Sequence, residues 1–497
     1  MVPGLLVACL TYACSVGSAR ALILGEPAPK DARDGYVKTE GGPEITQVGI
    51  TEGLHFCIKG KRLISRRPMP QEAQPSTPAA EWAFKGGDPQ RTSFVNRTCP
   101  HHLFIPHWSF YHYDVAYTTP LIDRGGNVYV APTSGEVYKL KRDGDLVWTY
   151  QLNGSSPANP AMADGTIFIS DSIGKAYAID AETGQLRWSR QLTPKNGSPG
   201  NYGVSLGGGL VFFHASPEGP QSGSSFFIAC QASTGEEQWQ VEIHSPVYNV
   251  MPAMADGDSA LVYTDMDGGT HKLEVATGRE LWSSPGFPFA ETEGWNAKPG
   301  MVPHSHSAMA LVGNGVVYTA GNPTRHTGRV RALRLDTGEE IWRTEFDSMM
   351  GNGAALADID GVPTLVFGTG VTALHPIPEA KPPFIGKLYA LEAATGRELW
   401  RFQAEPMLTI ASPGTVVNPL CTRGNLPDSW SVPLIDGRGI VYVGWQGGIL
   451  YAVNGRNGKL VSLFNTTEGI QSQPTAGPSG ELVITSGMHV HSFWSSP

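Results

Sequence analysis

The chain has 497 residues, a formal net charge of −9 at pH 7 and only 16% charged residues, with 60 glycines and 39 prolines. Few charges and many turn-forming residues favour an all-β protein built from many short strands. An acidic chain without a basic stripe lacks the surface that nucleic-acid binding requires, so we expect no nucleic-acid partner.

Residues 1–21, MVPGLLVACLTYACSVGSARA, have the pattern of a secretory signal peptide. They carry no acid, contain an apolar stretch at Leu5–Ala13 and end in small residues around Ala21. An uncleaved anchor is the alternative, although the stretch is short for a membrane span. We expect a protein of the secreted or endomembrane lumen, without a membrane span after cleavage of the leader.

Residues 22–80 are predicted to be an N-terminal extension and linker, which includes the Pro-rich stretch RRPMPQEAQPSTPAA. Four cysteines remain after the leader, and they allow three disulfide pairings. We prefer Cys57–Cys99 because both residues lie outside the repeats described below. Four sequons are candidate glycosylation sites, at Asn96, Asn153, Asn196 and Asn465.

A histidine-rich stretch, CPHHLFIPHWSFYHYD, follows the linker at residues 99–114. Histidine and cysteine are good zinc or copper ligands, so a metal site is one interpretation. Packing of an aromatic-rich segment is the other, because the spacing matches no metal motif. The sequence leaves both open.

A glycine corner recurs along the chain, first seen in AIDAETGQLRWSR at residues 178–190. Its glycines are separated by about 40–60 residues, which indicates a repeat architecture. They are Gly144, Gly184, Gly235, Gly278, Gly338, Gly396 and Gly458. Each corner joins two alternating strands, and two further strands precede it, as in the blades of a β-propeller.

A tryptophan stands four residues after each of the first six corner glycines, whereas the seventh copy has Ser462. We predict that these indoles pack on the neighbouring blade and have no catalytic role. They are Trp148, Trp188, Trp239, Trp282, Trp342 and Trp400.

Eight segments rich in small residues resemble innermost strands, although only seven corners exist. The last unit ends before its outer strand, which would leave an open edge. We therefore predict an eight-bladed propeller of four-stranded antiparallel blades over residues 81–497, whose last blade is closed by an N-terminal strand. The segment from Glu81, with Trp82 as its docking indole, is the expected closing strand.

The corner, in its fullest form Ala-x-x-x-Thr-Gly-x-x-x-Trp, resembles the repeat of the pyrroloquinoline-quinone (PQQ) propeller family from about Glu81 to Trp494. This family includes quinoprotein alcohol dehydrogenases and a non-catalytic outer-membrane-protein assembly factor. The resemblance implies the fold, whereas function depends on the site.

The dehydrogenase members hold PQQ and a calcium ion near the axis. Matching segments of this chain point to Glu218 and Asn322 as calcium and cofactor ligands and to Asp347 as the catalytic base. Two features of those enzymes are missing. The chain has no adjacent cysteine pair, and the residues around Asp347 depart from the family's His-Asp-x-Trp-Asp pattern.

The leading expectation is therefore a non-catalytic binding scaffold without a cofactor, which holds a protein or small-molecule ligand on a propeller face. The alternative is a calcium- and PQQ-dependent alcohol or sugar dehydrogenase that uses the three matched residues.

Overall fold

The protein is described by a computed structural model that covers residues 63–64 and 80–494, apart from several gaps. The gaps are 157, 194–202, 216–224, 244–246, 248–250, 266, 287–309, 325–326, 371–381, 410–411, 415, 419–420 and 424–429. The predicted leader, Cys57, Asn196 and Glu218 lie outside the described residues.

The described residues form 37 strands. The first four precede the repeats: β1 (Leu63–Ile64), β2 (Ala80–Trp82), β3 (Phe94–Val95) and β4 (Trp108–Tyr111). Blades 1 and 2 contain β5 (Leu121–Asp123), β6 (Val128–Val130), β7 (Glu136–Leu140), β8 (Leu146–Gln151), β9 (Ala161–Ala163), β10 (Thr166–Ser170), β11 (Lys175–Asp180) and β12 (Leu186–Gln191). Blades 3 and 4 contain β13 (Ser205–Gly207), β14 (Leu210–Ala215), β15 (Ser225–Gln231), β16 (Glu237–Ile243), β17 (Ala253–Ala255), β18 (Ala260–Thr264), β19 (Thr270–Glu274) and β20 (Glu280–Ser284).

The remaining strands belong to blades 5 to 8 and to one separate hairpin. Blades 5 and 6 contain β21 (Leu311–Gly313), β22 (Val316–Thr324), β23 (Thr327–Arg334), β24 (Glu340–Phe346), β25 (Met349–Ile359), β26 (Val362–Gly370), β27 (Lys387–Glu392) and β28 (Glu398–Gln403). The hairpin is formed by β29 (Val416–Asn418) and β30 (Cys421–Arg423). Blade 7 contains β31 (Leu434–Asp436), β32 (Ile440–Trp445), β33 (Ile449–Asn454) and β34 (Leu460–Asn465), and blade 8 contains β35 (Thr475–Ala476), β36 (Leu482–Ser486) and β37 (His489–Phe493).

Within each blade the strands follow one another in sequence order and pair antiparallel, which gives eight small sheets. The prediction of an all-β, eight-bladed propeller is confirmed. The middle strands of the blades are almost fully buried, because apolar side chains from adjacent sheets pack face to face.

Blade 8 is closed by an N-terminal strand, as predicted, but the strand is β4 rather than the segment that begins at Glu81. β4 pairs antiparallel with β37, with His489 opposite Tyr111 and Ser492 opposite Trp108. Trp82 instead lies in β2, next to the inner strand β5 of blade 1. The expected docking role of Trp82 is therefore corrected, and Trp108 occupies that position.

The corner glycines are contact surfaces for indoles from the preceding blade. A Cβ atom on Gly184 would lie 2.7 Å from the Trp148 ring, and one on Gly235 would lie 2.7 Å from the Trp188 ring. Each such indole N–H also donates to a backbone carbonyl just before the corner, for example from Trp239 to Val275 at 2.8 Å. The same contacts are made by Trp282, Trp342, Trp400 and Trp108, on Gly338, Gly396, Gly458 and Gly144 respectively.

Ser462 replaces the tryptophan in blade 7 because blade 8 offers no corner. Its outer strand β4 comes from the N-terminal part of the chain, and no hairpin follows β37 among the described residues. The Ser462 hydroxyl instead donates to the His101 carbonyl and accepts the Leu103 N–H. The exception in the repeat thus marks the point where the ring closes.

The two sides of the ring differ in the length of their connections. Turns between first and second strands and between third and fourth strands contain two to five residues. The connections between the second and third strands of a blade and between consecutive blades leave from the strand ends at the opposite side. We call these the turn side and the open side. Among the described residues, none lies in a helix with the length and hydrophobicity that a membrane crossing requires.

Candidate functional site

The N-terminal segment 80–97 closes the propeller axis near the turn side. Its backbone pairs with the inner strands of blades 1 and 7 through β2 and β3. Its carbonyls accept N–H bonds from the inner strands of blades 2, 4, 5 and 6, namely from Met162, Met254, Val312 and Leu356. Contacts from Arg91 to blade 3 and from Gly86 to blade 8 complete the set, so this closing segment touches all eight blades.

Arg91 anchors the closing segment. Its side chain is fully buried, and its guanidinium donates to the carbonyls of Lys85 (2.8 Å) and Pro252 (3.1 Å) and to the Ser205 hydroxyl (2.6 Å). It also lies over the Phe84 ring at 4.8 Å. Burial lowers the pKa of Arg91 to about 9, because a charge removed from water is penalised. The group is held by several hydrogen bonds, as a buried charge requires.

Gln473 supplies a second buried polar anchor, from blade 8. Its amide oxygen accepts the Gly86 N–H, and its amide nitrogen donates to the Ser93 hydroxyl and to the Pro433 carbonyl. All the hydrogen-bonding groups of this amide therefore bind the closing segment or blade 7. A hydrophobic contact between Met251 and Val432 then joins the inner segments of blades 4 and 7, three positions apart around the ring.

These contacts place the closing segment across the axis near the turn side. The interior next to the closing segment is occupied by the chain's own side chains. A ligand that enters along the axis would therefore meet protein, rather than a channel that runs through the ring.

Asn322 lies in β22 of blade 5 and is fully buried. Its amide oxygen accepts the Met350 N–H at 2.6 Å, and its amide nitrogen donates to the Met350 carbonyl at 3.0 Å. The side chain thereby binds the first strand of blade 6 to blade 5. Asn322 therefore forms a structural contact between blades 5 and 6.

Asp347 lies in the connection between β24 and β25, three residues before Met350. Its side chain is 74% exposed, and a carboxylate oxygen lies 3.4 Å from the Lys387 ammonium. The structure thus places Asn322 and the Asp347 segment at the same junction between blades. It does not direct the Asp347 carboxylate into a buried pocket with Asn322.

Calcium needs several oxygen ligands at about 2.3–2.6 Å. The Asn322 oxygen is already hydrogen-bonded in a fully buried position, and the Asp347 carboxylate lies beside a cation in solvent. As placed, these two side chains do not fit a calcium–quinone centre. Among the described residues, no group of three or more His, Cys, Asp or Glu side chains is arranged to hold a metal ion.

The histidine-rich stretch is dispersed by the fold. The His101 ring contacts the Arg438 guanidinium at 3.0 Å, and the His107 ring lies 5.1 Å from that of Trp494. His112 is fully buried in blade 8, where burial lowers its pKa to about 3. The His101 and His102 rings lie 4.1 Å apart, whereas His107 and His112 contact other parts of blade 8.

The remaining predicted residues have simple placements. Asn96, Asn153 and Asn465 are exposed, which leaves them accessible as candidate acceptors. Cys99 is a buried thiol whose pKa is raised by burial, and its N–H donates to the Asp436 carboxylate at 3.1 Å. The Cys57–Cys99 disulfide stays a prediction, because its partner lies outside the described residues.

Eight antiparallel blades joined by indole-on-glycine contacts define the class of protein: a propeller of the PQQ-repeat type with a closed axis. The sequence profile of one family, described as outer membrane protein assembly factor BamB, matches residues 116–223 and 195–375. These ranges cover more than half of the chain, which therefore belongs to the BamB-like family of PQQ-repeat propellers.

Individual relatives are distant. BamB of Burkholderia pseudomallei (strain K96243) is 25% identical over 305 residues, which cover 61% of this chain and 68% of that protein. The tetrathionate hydrolase of Acidithiobacillus ferrooxidans is 25% identical over 232 residues, which cover 44% of this chain and only 42% of the hydrolase. Known relatives thus include both an assembly factor and an enzyme.

The structure is also similar to the quinohemoprotein alcohol dehydrogenase of Comamonas testosteroni. The TM-score is 0.62 at 13% sequence identity, and the match covers 84% of this chain and 81% of the dehydrogenase. At this identity the similarity shows a shared fold, and the chemistry must be argued from the side chains.

Proposed function

We propose that this protein is a non-catalytic binding scaffold of the secretory route, which holds a protein partner. The observation that carries the proposal is the occupied axis. The closing segment, Arg91 and Gln473 fill the region near the turn side with satisfied hydrogen bonds. Family membership supports it, because the matching family is described as an assembly factor.

The placement of the matched enzyme residues supports the same conclusion. A catalytic base must reach the proton that it removes. Asp347 is exposed beside Lys387, and the Asn322 amide is engaged by Met350. In a scaffold, Asp347 is an exposed surface charge and Asn322 is a hydrogen-bonded contact between two blades.

The alternative is a calcium- and PQQ-dependent dehydrogenase. It is favoured by one observation, namely that Asn322 bonds a residue only three positions from Asp347. When bound, PQQ would supply the hydride acceptor. In this alternative Asn322 and Glu218 would hold the metal, and Asp347 would accept the proton.

A titration of the purified chain with PQQ, with and without Ca²⁺, separates the two functions. We expect no saturable change in PQQ absorbance and no shift of the thermal midpoint. Calcium-dependent binding that is lost in Glu218→Ala and Asn322→Ala, but kept in the exposed control Asp336→Ala, would overturn the scaffold proposal. Asp336 is a suitable control because its only charged contact in the described structure is Arg334 in the same turn region.

A further inference from the structure

A surface groove lies between blades 3 and 4 on the turn side of the ring. Its volume is about 500 Å³, which is within the range of ligand pockets. The buried side chains of Leu210 and Val275 form its apolar floor, and the exposed Leu281 continues the apolar surface outwards. Two partly exposed carboxylates, those of Asp258 and Glu274, also line it. The groove therefore combines an apolar floor with negative charge.

The groove is open because two positions at this junction lack long side chains. Gly208 lies two residues before the second strand of blade 3, and Ala276 lies two residues before the corner glycine of blade 4. At the junction of blades 6 and 7 the same two positions hold Asp360 and Arg456, whose ion pair joins the two blades. Neither Gly208 nor Ala276 can form such a bridge, so the space between blades 3 and 4 stays accessible.

The turn between the first two strands of blade 4 supplies an unpaired carboxylate. This turn contains four residues, whereas the corresponding turns of blades 2, 3, 5 and 6 contain two. Its Asp256 pairs with Lys272 at 2.6 Å, but the Asp258 carboxylate forms no hydrogen bond or ion pair within the described part of the chain. Glu274 is paired with Arg279 at 3.3 Å. Among the described residues that line the groove none is basic, so Asp258 can accept a cation from outside.

We propose that this groove binds a basic side chain of a partner polypeptide, with arginine preferred to lysine. The proposal rests on the proposed scaffold function and names a surface and the chemistry of the partner. The planar guanidinium of arginine can donate two parallel hydrogen bonds to the Asp258 carboxylate, whereas a lysine ammonium offers no such fork. The methylene stem of the same side chain would lie on Leu210 and Val275, which removes apolar surface from water.

A polypeptide is a better occupant than a small free cation. The groove is open to solvent on the turn side, and the exposed residues Gln238, Ser259 and Leu281 line it there. A free guanidinium or amine would therefore be enclosed on one side only, whereas ligand pockets bury most of the surface of a small ligand. In a polypeptide, the residues that flank the arginine can cover the exposed part of the groove as well.

The test uses the full chain and a fluorescein-labelled peptide with one arginine between two leucines, in a serine–glycine sequence, followed by fluorescence anisotropy. Its twin carries citrulline, which keeps nearly the same shape and removes the charge. We expect saturable binding of the arginine peptide, at least tenfold weaker binding of the twin, and weaker binding of the arginine peptide at high salt. Asp258→Asn should weaken binding of the arginine peptide by about tenfold, because the charge is lost while asparagine tolerates the positive φ of 67° at this position.

Asp164→Asn is the matched control. Asp164 is exposed, lies in the corresponding turn of blade 2 and also has a positive φ, of 46°. Binding of the arginine peptide should be unchanged in this variant. Circular dichroism and the thermal midpoint verify that both asparagine variants fold.

A double variant fills the groove from within the chain. Gly208→Asp with Ala276→Arg copies the residues that close the junction of blades 6 and 7. Aspartate is compatible with the backbone here, since Gly208 has a φ of 59° and Asp360 has a φ of 53° at the equivalent position. Binding of the arginine peptide should be lost, and Asp258→Asn tests the proposal independently if the double variant does not fold.

Three results would overturn the proposal: no saturable binding of the arginine peptide at millimolar concentration, equal binding of the citrulline twin, or equal loss of binding in Asp258→Asn and Asp164→Asn. Equally tight binding of N-acetylarginine amide would assign the groove to a small cation instead. A dimer in light scattering that Asp258→Asn dissociates would assign it to a second copy of the chain. A calcium-dependent PQQ complex would overturn the scaffold function, whereas discrimination between arginine and citrulline reports on the groove separately.

Discussion

Replacement of Arg91 by methionine is expected to reduce the free energy of unfolding by about 2–4 kcal/mol. The variant loses the charged hydrogen bonds to Lys85, Pro252 and Ser205, each of a type that contributes about 1.5–3 kcal/mol. The sum is reduced by two effects. The Ser205 hydroxyl keeps its own bond to the Pro252 carbonyl at 2.9 Å, and removal of the guanidinium ends the cost of burying a charge.

Urea titration followed by tryptophan fluorescence measures this loss. Hydrogen exchange gives a local readout, because the amides of Met254 and Val312 donate to the closing segment next to Arg91 and should exchange faster in the variant. Arg187→Met is the matched control. Arg187 is 42% exposed and forms a surface ion pair with Asp180, a contact worth about 0–1 kcal/mol, and it also donates to the Thr166 hydroxyl and the Asp164 carbonyl. A change below about 0.5 kcal/mol with unaltered exchange would show that Arg91 does not hold the closing segment.

Three further outcomes follow from the interblade contacts. Trp239→Ala should lower the unfolding free energy by about 3 kcal/mol, measured by urea titration, and Trp239→Phe should recover most of the loss, because it restores packing on Gly278 without the hydrogen bond to Val275. Burial lowers the pKa of His271, but hydrogen bonds that its ring donates to the Asp265 and Glu280 carboxylates outweigh burial and raise it. The stabilisation by the protonated ring is therefore complete below about pH 6.5 and is lost as pH rises through the raised pKa. The advantage in unfolding free energy of wild type over His271→Gln should be larger at pH 5.5 than at pH 8.5, and an equal difference at both pH values would contradict this reasoning. Asn322→Ala should cost about 1–3 kcal/mol in the same titration, whereas an unchanged midpoint would show that its bonds to Met350 do not stabilise the ring.

The blades were predictable because their signal is local and repeated. Glycine at the corner and tryptophan four residues later occur in one short stretch, and six copies make the spacing unmistakable. The sequence shows Ser462 in place of the seventh tryptophan, but the reason comes from the structure, in which Ser462 bonds the segment at His101 and Leu103.

The strand that closes blade 8 is harder to identify from the sequence. Trp82 and Trp108 both precede the first corner, and both lie in short strand-like stretches. What separates them is pairing with residues almost 400 positions away: Trp108 lies opposite Ser492, whereas β2 pairs with blade 1. Spacing along the chain does not reveal such a contact, so the sequence predicts for Trp82 a role that the fold gives to Trp108.

The closing segment explains why the fold alone cannot decide between scaffold and enzyme. Its anchors, Arg91 and Gln473, have no equivalents in the repeats, and they bind carbonyls and hydroxyls of distant blades. The repeats fix where the inner strands stand, and these unrepeated side chains determine how much of the axis remains open. The corners alone therefore do not separate a scaffold from an enzyme, and function is to be tested at the unrepeated residues rather than at the repeats.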